Sequence, residues 1–391
     1  MASSIGKNIK ISIFGESHGP AVGVVIEGIP SGTEINLNEL DKLMMERMGM
    51  DIPGTTARKE LEHLEFLSGV IMGSDYSSCH ATGTPISVII RNENFNSDDY
   101  SKNEGVLRPG HADFTQLIKW GEYADIVGGG HLSGRLTAPL AVAGGICLQL
   151  LAKEGIELSA GLKSLGRHEL SCKASEAFGS EDFCSEISNL VEAVKAEGDS
   201  LGGIVWVKAN GLPAGIGEPI FDKVESRLGQ MIFSIPAVKG IEFGSGFDGA
   251  RTRGSENNDE FCFANDELCP ANDEIGLVNA EFCLMNAKFC FADENTTENP
   301  QGISLISNNC GGILGGITTG SELCFNVAIK PTPSISKPQK TVNLKTKQNV
   351  LLSTKGRHDA SVAIRAVPVI RAATALVLYD LFIDYKENHN G

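Results

Sequence analysis

The chain has 391 residues, 41% hydrophobic and 21% charged, with 45 glycines and a formal charge of −16. Its length admits one large domain or two ordinary ones. The acidic balance argues against a nucleic-acid partner, and no G-x-y period marks a fibrous protein.

Ile9 to Phe14 alternates loosely and predicts a strand, followed by the turn-like GESHGP from Gly15. Val22 to Ile29 is a second strand, closed by Pro30, Ser31 and Gly32. Asn38 to Met48 has helical spacing, with Leu40, Leu43 and Met44 on one face. Strands are predicted at Glu65 to Ile71 and Pro85 to Ile90, and a long polar segment then leads to RPGHADF at Arg108. Thr137 to Ala152 is the strongest helix. Its apolar run, from Ala138, is too short for a membrane span and reads as a buried core element. Helices are further expected at Ile187 to Glu197 and Asp222 to Phe233, with a strand at Gly203 to Ala209.

Strands and helices alternate without the regular cadence of a doubly wound sheet, which favours an α+β layered architecture. No composition break demands two domains, so one domain over 1–391 is expected. A repetitive acidic insertion at about 258–300 interrupts it. From Phe261 to Asn295 five seven-residue units run FCFANDE, LCPANDE, IGLVNAE, FCLMNAK and FCFADEN, with seven acids against Lys288. Four adjacent apolar positions are no coiled-coil seam, and Pro270 and Gly276 would break a helix. The spacing of Cys262, Cys269, Cys283 and Cys290 is not that of a zinc site, so an expanded surface loop is expected.

No apolar h-region follows Met1, and none of the ten cysteines forms a CxxC. A reducing, cytoplasmic setting is expected, with no membrane segment.

Four of the eight histidines sit in glycine-rich or polar turns: His18 in GESHG, His111 in PGHAD, His131 in GGGH and His358 in GRHD. Histidine changes charge near neutral pH, which suits proton transfer. Arg108, Arg135 and Arg357 share these turns, and guanidinium forks match phosphate and carboxylate. An anion site is the expectation. A metal site is the competing idea, but no HExxH or other local ligand pair supports it. GSGFDG at Gly244 satisfies G-x-G-x-x-G yet precedes no apolar helix, and no Walker-type GK[ST] exists.

FGESHG from Phe14, RPGHAD from Arg108, KGIEFGSGF from Lys239, NNCGGILGGITTG from Asn308, and KGRHD from Lys355 with the following IRAVPVIRAATALVLYD resemble, in order, the signature blocks of the chorismate synthase family. The resemblance implies a β-α-β-α layered sandwich and a 1,4-anti elimination of phosphate from 5-enolpyruvylshikimate 3-phosphate, giving chorismate. It also implies reduced FMN as cofactor, an external flavin reductant and a homotetramer. Carried over by position, His18 would protonate or stabilise the departing phosphate, and His111 would govern the protonation of the reduced flavin. Asp359 would assist in removing the C6 proton. Ser17, Arg47, Arg108 and Arg135 would bind the substrate. His131, Leu132, Ser133, Pro236, Ala237, Gly311, Lys330, Pro331, Thr332, Pro333, Ser334 and Arg357 would bind the flavin, with no metal. His131 and Leu132 stand where the family has arginine and serine, and Pro236 stands where asparagine is common.

Overall fold

The computed structural model describes residues 3–49, 52–55, 62–92, 105–176, 178–263, 303–354 and 359–389. Arg357, His358 and the heptads beyond Phe263 lie outside the described residues.

Two five-stranded antiparallel sheets form the outer layers. The first contains β1 (Ser4–Ile5), β2 (Lys10–Gly15), β3 (Ala21–Glu27), β4 (Glu65–Ser68) and β5 (Ile86–Arg91), in the order β1-β2-β3-β5-β4. Along β3, Val22, Val24 and Ile26 are buried at every second position, so a period of two turns one face toward the helices. The second sheet contains β6 (Glu157–Leu165), β7 (His168–Glu169), β8 (Gly203–Asn210), β9 (Val238–Phe243) and β10 (Leu323–Ile329), ordered β7-β6-β8-β10-β9. Gly203, Val205, Val207 and Ala209 line the buried face of β8.

The two longest helices, Thr137–Lys153 and Val362–His389, lie between the sheets. α1 (Leu37–Met48) starts at Asn36, whose side chain accepts from the backbone N–H groups of Asn38 and Glu39. α2 (Asp113–Trp120) follows the RPGHAD turn. α3 (Thr137–Lys153) packs on β3 and β5, α4 (Glu181–Ala196) carries its own Ser180 cap, and α5 (Val224–Ser234) leans on β9. α6 (Val362–His389) covers β6 and β8 and packs along α3. The helical stretch Val127–Lys153, which ends in α3, and α6 are long and apolar enough to cross a membrane by length and composition, yet both are mostly buried inside the protein. A helix apolar all round is what a position between two sheets requires. Gly144 makes their crossing close: a Cβ there would lie 2.1 Å from the Ala372 carbonyl oxygen.

The α+β expectation holds, with strands and helices alternating irregularly along the chain. The strand expected at Glu65 to Ile71 divides. Gly69, at φ 82°, ends β4, and Val70–Met72 joins a separate three-stranded sheet with Ser78–Ala81 and Glu34–Asn36. α4 begins about two turns earlier than the apolar pattern indicated, because Ser180 caps it and Phe183 is already buried. Among the described residues the cysteines are free thiols.

The N-terminus is fastened to α6 by one carboxylate. Asp380, 2% exposed, accepts the backbone N–H groups of Lys7, Asn8 and Ile9 at 3.1, 2.7 and 2.7 Å. Arg227 of α5 donates to the same carboxylate at 2.5 Å.

Candidate active site

The GESHGP turn joins β2 to β3, and a glycine loop folds over it. Gly128, Gly129 and Gly130 all have positive φ, at 60, 90 and 52°, a region open to glycine and costly for other residues. Gly130 accepts the Ser17 N–H at 3.2 Å. A Cβ on Gly128 would stand 2.0 Å from His18 Cε1, so only glycine lets this loop close on the imidazole. Ser133 donates to the Ser17 hydroxyl at 3.2 Å and accepts the Arg135 N–H at 3.3 Å.

Behind this loop lies a buried charge network. Arg47, 3% exposed, gives Nη1 to both Glu62 oxygens at 2.9 Å. Its Nε and Nη2 reach Thr137 Oγ1 at 3.2 and 3.1 Å, and Nη2 reaches the Gly134 carbonyl at 3.3 Å. Arg135 also donates to Glu62, and to Asn92 Oδ1 at 2.9 Å. Arg365 donates from Nε to the Arg47 carbonyl at 3.1 Å and from Nη1 to Asp359 at 3.2 Å. Burial alone would raise the Glu62 carboxyl, but Arg47, Arg135 and Arg365 together hold it below the usual carboxylate range. Burial pulls the Arg47 guanidinium down to about 10 against the attraction of Glu62.

A second group of residues adjoins the first through α2. Arg108 grips Asp113 from Nε and Nη2 at 2.8 and 2.6 Å and donates to the Ile126 carbonyl at 3.2 Å. Gln116 of α2 reaches the Gly129 carbonyl at 3.4 Å. Burial works against the Asp113 charge, yet the Arg108 hydrogen bonds keep its carboxyl low. His111 Nε2 lies 2.9 Å from the Ser334 hydroxyl, and Lys330 Nζ donates to the Gly110 carbonyl at 2.5 Å. Burial, with Lys239 nearby, lowers the Lys330 amine. Thr332 Oγ1 accepts the Val362 N–H at 3.2 Å, bringing the KPTPS segment to the start of α6 beside Asp359. Ala237 holds φ 73°, rare for a residue with a Cβ, and accepts the Lys330 N–H at 3.0 Å.

Ser17, His18, Ser133 and Arg135 thus adjoin Arg47 and Asp359 through the charge network. His111, Lys330, Thr332, Ser334, Pro236 and Ala237 meet them through α2 and the start of α6. Three further expected residues have contacts of their own. His131 is engaged on both ring nitrogens, 2.8 Å from the Gly15 carbonyl and 3.0 Å from Ser3 Oγ, so its imidazole ties the residue before β1 and the end of β2 to the glycine loop. Arg47 spends its fork internally. Gly311 receives the Cys324 N–H at the beginning of β10, about 20 Å along that strand from Lys330 at its far end. Leu132 is 43% exposed beside Ser133.

Glu62, Asp113 and Arg365 carry much of this geometry, and the sequence reading gave them no role. Asp113 closes the RPGHAD motif and Arg365 stands in IRAVPV, at short intervals from Arg108 and Asp359. Glu62 had no local signal, because its partners are 15 and 73 positions away. Two clefts of about 710 and 500 Å³ share Glu46, Leu158 and Arg371 as lining, and among the described residues none of the expected site residues borders either. Among the described residues no group of three or more His, Cys, Asp or Glu is placed to hold a metal ion.

The donor set suits an anionic cofactor: the segment Lys330–Ser334 with His111 carries an amine, two hydroxyls and an imidazole, next to the positive-φ Ala237. An α+β sandwich that assembles imidazoles, guanidinium groups and hydroxyls where several loops meet is built as an enzyme for a small anionic substrate. The sequence matches the chorismate synthase family model over residues 9–383. Chorismate synthase of Dehalococcoides mccartyi is 40% identical over 395 residues, covering 97% of this chain and 96% of that protein. The Thermococcus kodakarensis chorismate synthase is 38% identical over 382 residues, covering 96% of each. A solved chorismate synthase crystal structure shares the fold at a TM-score of 0.66 and 23% identity, covering 97% of this chain and 93% of that one. The chain belongs to the chorismate synthase family, lyases that perform the last step of the shikimate pathway with reduced FMN.

Proposed function

We propose that this chain, as one catalytic domain with an acidic insertion, eliminates phosphate from 5-enolpyruvylshikimate 3-phosphate among the loops carrying His18, Arg135, His111 and Asp359. The supporting observation is the continuous hydrogen-bonded path from the His18 turn through Ser17, Ser133 and Arg135 to Glu62, Arg47, Arg365 and Asp359.

When bound, reduced FMN supplies electron density transiently to the substrate and recovers it, so no net redox change results. The protein's own residues bind, orient and move protons. His18, pressed against Gly128, gives its proton to the departing phosphate oxygen. Arg135 offers its guanidinium to that anion and Arg108 adds positive charge nearby. Asp359, held by Arg365, shares in receiving the proton lost from C6. His111, fixed by Ser334, manages the proton at the cofactor's edge, and Lys330 with Thr332 and Ser334 holds the cofactor. The enzyme acts as a homotetramer in the cytoplasm, on flavin reduced by an external donor.

The test is phosphate release under anaerobic conditions, with chemically reduced FMN and substrate. Wild-type protein turns over, while His18→Ala and His111→Ala each lose about 10²–10⁴ in rate and keep their folded stability. Tight flavin binding without elimination by the wild type would reduce the protein to a binding homologue. Near-normal kinetics in either variant would remove that histidine's role.

A further inference from the structure

We infer that Asn92 is a positioning residue for His18: its side-chain amide clasps the turn that carries Ser17 and His18. The inference rests on the elimination reading above and goes beyond it by naming what holds the proton donor in place.

Asn92 stands one residue past the end of β5 and donates its backbone N–H to the Pro20 carbonyl at 3.1 Å. The ladder thus runs one step beyond its last strand pair, Ala21 and Arg91, and brings the side chain to the mouth of the GESHGP turn. A side-chain amide has two N–H donors and one carbonyl oxygen. Nδ2 donates to the Glu16 carbonyl at 3.1 Å and to the Gly19 carbonyl at 2.7 Å. Both donors are spent on the two residues that bracket Ser17 and His18. Oδ1 accepts from Arg135 Nε at 2.9 Å. The nitrogen and oxygen of an amide are alike in shape, and its partners alone decide which way it faces. A guanidinium only donates and a backbone carbonyl only accepts, so one orientation satisfies all three contacts.

Two longer backbone bonds complete the frame of the turn. The Gly19 N–H returns to the Glu16 carbonyl at 3.2 Å, and the Ser17 N–H reaches the Gly130 carbonyl at 3.2 Å. The glycine loop closes on the imidazole itself, where a Cβ at Gly128 would stand 2.0 Å from His18 Cε1. The loop therefore bounds the ring, and Asn92 fixes the backbone from which the ring projects. Arg135 keeps Glu62 and the Arg91 carbonyl as partners when Asn92 is lost, so the turn is freed more than the guanidinium is. That asymmetry gives a kinetic signature. A proton given to the departing phosphate is transferred in the transition state, so misplacing its donor lowers kcat and leaves KM alone.

The test uses the full-length protein, read by denaturant unfolding, by anaerobic kinetics with reduced FMN, and by NMR of histidine-labelled protein. His18→Gln and His111→Gln assign the two imidazole resonances. Asn92→Ala removes all three side-chain contacts. Asn92→Asp keeps the shape and the Arg135 partner but loses both donors and sets a charged oxygen against the two carbonyls, so it isolates the clasp on the turn. Both variants fold. Both lower kcat about 10-fold to 100-fold, the effect of a displacement of up to about 1 Å at a reacting group, while KM for the substrate stays within about threefold. In both, the His18 resonance moves and that of His111, which Ser334 fixes elsewhere, stays in place. Normal kcat in Asn92→Asp would show that the amide serves Arg135 alone and would overturn the assignment. A raised KM with unchanged kcat, or an unmoved His18 resonance, would do the same, and loss of folding in Asn92→Asp would reduce Asn92 to a structural residue. The resonance is read without turnover, so an inactive wild type whose His18 signal moves in both variants would refute only the elimination reading.

Discussion

Replacing Gly128 by alanine tests how closely the glycine loop is fitted to His18. The added Cβ would stand 2.0 Å from His18 Cε1 and 2.1 Å from Nδ1. Ordinary carbon contacts begin near 3.5 Å, so the imidazole or the loop must retreat by about 1 Å or more. The backbone at φ 60° adds about 1–2 kcal/mol for any residue with a Cβ. Stability should fall by that amount, a shift of only a few degrees in Tm for so long a chain. Catalysis should fall further, because a displacement of about 1 Å at a reacting group costs about 10²-fold. The assay is anaerobic phosphate release beside thermal unfolding, with Gly229→Ala as the control, since a Cβ at Gly229 meets nothing within 4 Å. A Gly128→Ala enzyme within twofold of the wild-type rate would refute the fit.

Asp380→Ala removes the carboxylate that holds three backbone N–H groups and Arg227. It should destabilise the protein by about 3–5 kcal/mol in denaturant unfolding, with little change in rate per folded molecule. Asp113 has its carboxyl held down by Arg108, so its stabilisation is complete above the unfolded carboxylate range and disappears as pH falls through the depressed folded value. Asp113→Asn should therefore flatten the acid limb of unfolding between about pH 5 and pH 2; an unchanged limb would show that the pair contributes nothing. Phe263, in the first heptad, pairs directly with Ile303, so the chain on the two sides of residues 264–302 already meets in an antiparallel ladder. Deleting 264–300 and closing the ladder with a short turn should leave measurable catalysis, and complete loss of folding would place the heptads in the core.

The elements most legible in the sequence were those whose burial follows a local period. β3, β8 and α1 are of this kind, each apolar on the face that packing covers, while α3 was legible as one long uninterrupted apolar run. α6 was harder to read as a helix, because Pro368 interrupts it and its apolar residues surround the axis without a polar stripe. Gly69 divided one expected strand between two sheets, a consequence of backbone conformation that no apolar count registers. At the site, motif glycines and histidines pointed to the right loops because such residues mark close backbone approach. The roles within those loops depended on distant partners. His131, expected at a cofactor, also has ring contacts to Ser3 and the Gly15 carbonyl. Arg47 and Glu62 form one unit across a turn, and only the folded chain shows that their charges satisfy each other.

The most direct test of the central claim, that these loops form one enclosure for substrate and reduced flavin together, is an anaerobic titration of FMN with and without 5-enolpyruvylshikimate 3-phosphate. A shared enclosure predicts that substrate tightens flavin binding and changes the flavin spectrum, and that His18→Ala keeps both effects while releasing little phosphate. Flavin affinity and spectrum indifferent to substrate would contradict it.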